Sequence, residues 1–154
     1  MSLASEVQKL KKRYPDSLSA VMPALRLAQE ENDGWLSPDA IREVADALEL
    51  TPAYCLSIAS FYDQYYLEPV GRTHVEVCTN VSCGLAGAQQ VVEAFERELG
   101  LRAGETSEDG KVTLRTIECA GGCGYAPVVV VDHRYREPTR PEDVPGIVGE
   151  LNGG

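Results

Sequence analysis

Four of the five cysteines in this chain form two close pairs, and thiolates in close pairs are the usual ligands of iron and zinc. Four residues separate Cys78 from Cys83, and three separate Cys119 from Cys123. A long segment lies between the pairs, so a shared site requires the fold to bring them together. Four thiolates that converge on one point make a metal site, and the spacing bears on which kind.

The spacing favours a 2Fe-2S cluster and leaves two alternatives open. The first pair has the C-x4-C step of plant-type ferredoxins, but the second pair is C-x3-C and lacks their C-x2-C continuation. Structural zinc also uses cysteine pairs separated by about two to four residues. Thiol or disulfide chemistry is the other alternative.

Glycines surround both pairs and favour a cluster over a single zinc ion. They are Gly84, Gly87, Gly121, Gly122 and Gly124. Glycine lets the backbone pass close to a bulky inorganic core and turn its N–H groups toward the sulfurs, which helps to set a cluster's potential.

The other candidate ligands have simpler interpretations. Cys55 lies on an apolar helical face, which predicts a buried packing residue rather than a fifth ligand. A mixed ligand set of the Rieske type would use His74 or His133, but four cysteines already complete a 2Fe-2S site. We predict that both histidines lie at the surface or at a strand edge.

Composition restricts the setting of the protein. The net charge of -10, from 24 acidic and 14 basic side chains in 154 residues, argues against a nucleic-acid partner. No apolar run approaches the ~20 residues of a membrane span, and the first residues do not resemble a signal peptide. An odd number of cysteines fits a reducing compartment. We therefore predict a cytoplasmic protein that does not insert directly into a membrane.

Two periodicities divide the chain. Up to about residue 68 the apolar residues recur at helical spacing, and Ser37-Pro38 and Thr51-Pro52 have the pattern of helix starts. Leu18 is predicted to lie on the second helix, which Pro23 must kink or delay. An aromatic cluster at residues 61–66 either contacts a partner or closes the helical core.

After the break at residues 68–71, strands alternate with helices. The pattern predicts strands over residues 73–77, 112–116 and 128–131, and helices over 86–99 and from about 141. Both cysteine pairs are then expected in loops that directly follow strands. The Ala126-Pro127 bond is compatible with either a cis or a trans peptide.

A series of short motifs covers nearly the whole chain and resembles one known family. The motifs occur in the order Tyr14-Pro15, residues 25–30, Gly34-Trp35-Leu36-Ser37, Phe61-Tyr62, Pro69-Val70-Gly71, Cys78-Thr79-Asn80 and residues 119–127. In this order they are similar to the thioredoxin-like 2Fe-2S subunit, the E subunit, of bacterial NADH-quinone oxidoreductase, which is respiratory complex I.

The resemblance implies an α+β fold, with a small helical bundle at residues 1–70 and a thioredoxin-like 2Fe-2S ferredoxin domain at residues 71–154. It implies that Cys78, Cys83, Cys119 and Cys123 all bind one 2Fe-2S cluster. It also implies a partner, the flavin-bearing F subunit that oxidises NADH, with FMN and NAD bound only there. Similar subunits serve NAD-linked hydrogenases and formate dehydrogenases. A zinc-stapled structural protein is an alternative of a different class.

The sequence departs from the family pattern at several positions, none of which is a cysteine. Gly122 stands where alanine is usual, Gly84 replaces a bulkier residue, and Asp63-Gln64 follow the Phe61-Tyr62 pair. These changes bear on cluster potential and partner fit rather than on cluster binding.

The chain has neither a G-x-G-x-x-G motif after a strand nor a P-loop, so it lacks the usual phosphate cradle for a dinucleotide. We therefore expect it to act as a subunit of the oxidoreductase and not to oxidise NADH alone.

Overall fold

The computed structural model describes residues 2–152, and within that range the chain has the predicted α+β composition. Seven α-helices, two short 3₁₀ helices and one four-stranded sheet are present among those residues. The chain divides into two compact units between Val70 and Gly71, and each unit has its own apolar core.

The first unit consists of four helices. These are α1 (Leu3–Lys11), α2 (Val21–Glu31), α3 (Pro38–Leu48) and α4 (Pro52–Phe61). The predicted helix starts are confirmed, since the Ser37 hydroxyl accepts a hydrogen bond from the Ala40 N–H at 3.1 Å and the Thr51 hydroxyl accepts one from the Tyr54 N–H at 3.3 Å. These bonds satisfy N–H groups that the first turn of a helix leaves without partners.

The prediction that Leu18 lies on the second helix is wrong. Helix α2 begins at Val21, and Leu18 lies in the turn before it with 56% of its surface exposed. Pro23 therefore falls in the first turn of α2, where its missing N–H breaks no intrahelical bond. Of the two outcomes left open for this helix, the delayed start is the observed one.

The aromatic cluster at the end of this unit has two different roles. Tyr65 is buried, and its hydroxyl donates a hydrogen bond to the Met22 carbonyl at 2.8 Å, so it closes the helical core. Phe61 is 77% exposed and stacks edge to face on Tyr62, with ring centroids 5.0 Å apart. Phe61 and Tyr62 thus remain available for contact with a partner.

The second unit is built on a sheet with the strand order β2-β1-β3-β4. The strands are β1 (Thr73–Cys78), β2 (Val112–Ile117), β3 (Val129–Val131) and β4 (Arg134–Arg136). Strands β1 and β2 are parallel, whereas β3 is antiparallel to both β1 and β4. Three helices accompany the sheet, α5 (Val81–Leu85), α6 (Ala88–Leu99) and α7 (Val144–Asn152).

Helices α6 and α7 share one apolar core with the sheet. The predicted inward face of α6 is confirmed for Val91, Val92 and Phe95, which are buried together with Val75 and Val77 of β1. Successive residues of a strand point to opposite faces, so Cys78 faces away from this core. The sheet therefore uses one face for its main core and the other for the cysteines.

Two short elements were not predicted. Strand β4 has three residues, and its alternation of arginine, tyrosine and arginine carries no apolar signal. Helix α5 has five residues, too few to show a helical period. The Ala126–Pro127 peptide bond, for which both isomers were open, is cis.

Candidate metal centre

The ends of two parallel strands place the cysteine segments at one edge of the sheet. Cys78 is the last residue of β1, and it pairs with Ile117, the last residue of β2. Cys119 follows Ile117 by two residues. Because β1 and β2 run in the same direction, the segments that follow them leave the sheet side by side.

The second cysteine of each pair lies in a short helical segment rather than in the loop that was predicted. Cys83 lies within α5, and Cys123 begins a 3₁₀ helix that ends at Tyr125. The side chain of Asn80 accepts a hydrogen bond from the Val81 N–H at 2.7 Å at the start of α5. This turn brings the Cys83 thiol into hydrogen-bonding contact with Cys78.

The Cys78 sulfur is surrounded by polar backbone groups from both cysteine segments. It lies 3.8 Å from the Glu118 carbonyl oxygen. Burial raises the pKa of this thiol, but backbone N–H groups of Ala120 and Asn80 and the Cys83 side chain outweigh that effect, so the pKa lies below its ordinary value. Since Glu118 and Ala120 flank Cys119, these contacts show that the segment around Cys119 lies against Cys78.

Cys83 is buried beside Cys78, but the pKa of its thiol is shifted in the opposite direction. Burial is the main cause that raises its pKa, and the nearby Cys78 and Cys123 sulfurs raise it further, while a backbone hydrogen bond with Val128 opposes them. The influence of Cys123 on this pKa indicates that Cys123 lies near Cys83. Cys78 and Cys83 also pack with Ala88, Val128 and Val130 in a small apolar cluster of their own.

Cys119 and Cys123 are exposed, whereas Cys78 and Cys83 are buried. The first pair is therefore the inner one and the second pair the outer one. Among residues 2–152, no three His, Cys, Asp or Glu side chains are grouped at a single metal-coordinating point. Binding of one centre by all four cysteines stays a prediction.

The segment that contains β4 contacts residues 119–127, which we call the second cysteine loop. The Tyr135 hydroxyl donates a hydrogen bond to the Ala120 carbonyl, and the Thr139 N–H donates one to the Pro127 carbonyl at 2.9 Å. The sequence did not indicate this support because β4 shows no apolar period. The tyrosine shortly after the Asp132-His133 turn was the one sequence feature that pointed to it.

The remaining candidate ligands lie elsewhere. Cys55 is fully buried in the core of the first unit, where burial raises the pKa of its thiol. His74 lies near the start of β1, and its backbone N–H donates a hydrogen bond to the side chain of Asp132, the residue before His133, at 2.8 Å. With a rise of about 3.3 Å per residue along a strand, the histidines are at the opposite end of β1 from Cys78.

The comparison with protein families decides what this fold and cysteine pattern belong to. The model of the thioredoxin-like 2Fe-2S ferredoxin family matches residues 7–152. The chain belongs to this family. The match confirms the resemblance that the motifs indicated.

Relatives within the family carry the name that the resemblance predicted. The chain is 42% identical over 135 residues to the NADH-quinone oxidoreductase E subunit 2 of Rhizobium meliloti, an alignment that covers 88% of this chain and 80% of the relative. It is 38% identical over 152 residues to the NADH-quinone oxidoreductase E subunit of Rickettsia bellii, an alignment that covers 98% of this chain and 90% of the relative.

A solved structure supports the fold. A chain of an NAD+-reducing NiFe-hydrogenase in the air-oxidised state aligns with 84% of this chain at a TM-score of 0.71 and 19% identity. The alignment covers 23% of that hydrogenase chain. At this identity the likeness concerns the fold alone, so it supports the thioredoxin-like family fold without bearing on activity.

The donor set of this family member fits a 2Fe-2S cluster. Four thiols are the usual complement of such a cluster, and two of them are buried, Cys78 at the end of β1 and Cys83 in α5. Backbone hydrogen bonds from Ala120, Asn80 and Val128 favour the thiolate form of Cys78 and Cys83. Hydrogen bonds to sulfur are among the features that tune cluster potential. Family and fold together support a 2Fe-2S cluster here.

No helix in the described part of the chain is long and apolar enough to cross a bilayer.

Proposed function

We propose that this chain is the 2Fe-2S electron-transfer subunit, the E subunit, of NADH-quinone oxidoreductase, and that it accepts one electron from the flavin of a partner subunit during NADH oxidation. The observation that carries the proposal is the 42% identity to an E subunit over 88% of the chain. The family match and the convergence of two cysteine pairs at one sheet edge support it.

Cys78, Cys83, Cys119 and Cys123 would hold the cluster. When bound, the cluster supplies storage for a single electron, and the protein supplies its ligands and surroundings. The buried pair would shield one side of the centre in the apolar cluster with Val128, while the exposed pair would leave the other side open toward a partner. Backbone N–H groups directed at the sulfurs stabilise negative charge at the site.

The flavin and the nicotinamide are assigned to a partner, the F subunit. The chain has neither of the glycine-rich motifs that usually hold the phosphates of a dinucleotide. A hydride carries two electrons, and a flavin can release them singly. A one-electron acceptor beside the flavin can therefore receive one of them. This division of labour predicts that the chain has no NADH oxidation of its own.

The surface around the cysteines has the composition of a protein interface. Residues 79–92 and 119–131 contain no Asp, Glu, Lys or Arg, although a quarter of the chain is charged. Among the described residues of the second unit, the large apolar side chains that are exposed are Val81, Leu85, Tyr125 and Tyr135. All four lie on or against the cysteine segments, Tyr135 through its bond to Ala120.

Interface cores are depleted of charge and enriched in aromatic side chains. We therefore place a docking surface for the flavin subunit at these four residues, which we call the cysteine face. Its burial would exclude water from the exposed cysteines and bring the electron donor close to them.

An equivalent subunit of an NAD-linked hydrogenase is the second candidate. The NAD+-reducing hydrogenase chain shares the fold at 19% identity, which is consistent with this candidate but does not favour it. The relatives named as E subunits are at least 38% identical over most of the chain and favour the quinone-linked complex. We accordingly propose a cytoplasmic location, at the face of the membrane that carries the complex.

The test is analysis of the chain purified without oxygen, followed by reaction with NADH. We expect a red-brown protein with two irons and two acid-labile sulfides per chain and a rhombic electron paramagnetic resonance signal after one-electron reduction. NADH alone should leave the visible spectrum unchanged, and NADH with the F subunit should bleach it.

A colourless protein with stoichiometric zinc after anaerobic reconstitution would contradict the cluster and favour the zinc-stapled alternative. NADH consumption by the chain alone would contradict the assignment of flavin and nicotinamide to a partner. The F subunit without this chain is the control, since it should oxidise NADH with an artificial acceptor.

A further inference from the structure

The segment that follows β3 contacts the second cysteine loop through every other residue. Tyr135 bonds to the Ala120 carbonyl, and Thr139 bonds to the Pro127 carbonyl. Glu137, midway between them, places its carboxylate against the backbone of Gly122. Tyr135 and Glu137 reach the loop through their side chains, and Thr139 reaches it through its backbone N–H.

The absence of a side chain at Gly122 matters for space rather than for backbone conformation. Its φ of -93° is open to any residue. A Cβ atom at this position would lie 2.7 Å from Oε2 of Glu137 and 2.9 Å from Cγ2 of Val128, which is closer than carbon approaches such atoms. The absence of a methyl group thus creates the room in which the Glu137 carboxylate lies, beside the residue that precedes Cys123.

Among residues 2–152, Glu137 is an exposed carboxylate that forms no ion pair. The neighbouring Arg136 forms its ion pair with Glu150 at 2.6 Å, and no ion pair within 4 Å involves Glu137 in that part of the chain. The loop it contacts is uncharged from residue 119 to residue 131. Glu118, directly before Cys119, is another acidic residue in this part of the sequence.

We propose that Glu137 sets the reduction potential of the cluster by holding a negative charge in the space that Gly122 leaves open. The inference rests on the proposed function, because it assumes a cluster at the four cysteines. Reduction adds one electron to the centre, and a fixed negative charge nearby disfavours the added charge. Glu137 therefore lowers the potential and makes the cluster a poorer acceptor than it would be without this carboxylate.

The experiment is a redox titration of the purified chain with its cluster, followed by electron paramagnetic resonance. Glu137→Gln removes the charge and keeps the shape. Glu108→Gln is the matched control, because Glu108 is an exposed carboxylate in the loop that enters β2, at the opposite end of that strand from Cys119. At the potential where the native cluster is half reduced, we expect a severalfold higher ratio of reduced to oxidised cluster in Glu137→Gln and no change in Glu108→Gln.

Gly122→Ala tests whether the space matters. The new methyl group should displace the carboxylate, so the potential should rise, and adding Glu137→Gln should then change it little, since the two substitutions act through one contact. Full additivity would overturn the role of Gly122. If Gly122→Ala fails to hold a cluster, the comparison of Glu137→Gln with Glu108→Gln decides alone.

Equal potentials for Glu137→Gln and the native chain would overturn the inference. That result differs from failure of the proposed function, in which the native chain itself would contain no iron-sulfur cluster to titrate.

Discussion

At the scale of single residues, the five cysteines differ in their surroundings more than in their chemistry. Cys78 contacts N–H groups from two segments, and Cys83 lies beside it. Cys55 is fully buried in the apolar core of the first unit. A free cysteine in such a core behaves as a small apolar side chain. Substitution should therefore have opposite effects at the two kinds of position.

We predict that Ser in place of Cys78, Cys83, Cys119 or Cys123 abolishes or visibly alters the cluster spectrum, because each change removes a ligand sulfur. Cys55→Ala should retain the spectrum and lower the free energy of unfolding by about 1 to 3 kcal/mol, through the cavity it leaves. Visible absorption and denaturant unfolding of each variant provide the measurements. A Cys55→Ala protein that folds but has lost its colour would contradict the division into ligands and core.

At the scale of elements, the pairing of β1 with β2 determines where the cysteine segments leave the sheet. Gly71 lies just before β1, and its N–H donates a hydrogen bond to the Thr113 hydroxyl at 2.7 Å. A Cβ atom on Gly71 would lie 2.7 Å from the carbonyl carbon and 2.8 Å from the nitrogen of Val112. Both atoms belong to the backbone of β2, so a side chain here can be accommodated only if the strands shift.

We predict that Gly71→Ala lowers the free energy of unfolding by about 1 to 3 kcal/mol, because backbone cannot rotate away as a side chain does. Gly146→Ala is the matched control. Gly146 lies on the exposed side of α7, where a Cβ atom meets nothing within 4 Å. Since alanine favours helix over glycine by about 1 kcal/mol, this change should be neutral or stabilising.

Denaturant unfolding of both variants measures the difference. Equal stability of Gly71→Ala and Gly146→Ala would show that the approach of Gly71 to β2 does not constrain the sheet.

At the scale of the whole molecule, the function of the helical unit has to be explained separately from cluster binding. The ligands, the sheet and the apolar cluster around Cys78 all lie in the second unit. In the first unit, α4 leaves Tyr54, Leu56 and Phe61 exposed, and Leu67 is exposed nearby in sequence. Exposed apolar residues in such number favour a protein interface. We propose that the helical unit supplies much of the surface that docks on the flavin subunit.

We predict that a chain beginning at Val70 keeps the cluster but binds the flavin subunit far more weakly than the full chain does. Co-elution with the F subunit and bleaching of the cluster by NADH are the measurements, with the visible spectrum as the check that the shortened chain has folded. Equal binding by the shortened and full-length chains would contradict docking through the helical unit. Weak binding without loss of colour would support it, and the remaining affinity would report on the cysteine face.

The amino-acid sequence by itself determined the features that local chemistry controls. Proline after Ser37 and after Thr51 marks two helix starts, because the capping bond and the fixed proline φ act within one turn. Four cysteines in two spaced pairs, read with the ordered motifs, indicated the family and its cluster. The long periodic segments at residues 38–48 and 88–99 were likewise predictable, because each repeats its apolar face several times.

Tertiary structure decided what those local signals do not contain. Helix α5 and strand β4 are too short to show a period in the sequence. In the structure, α5 turns Cys83 back toward Cys78, and β4 is held by its pairing with β3. The contact of Glu137 with Gly122 joins residues fifteen positions apart through that pairing. Only the sheet brings such residues together, so the support of the cysteine loop, and the charge placed beside it, depend on the fold as a whole.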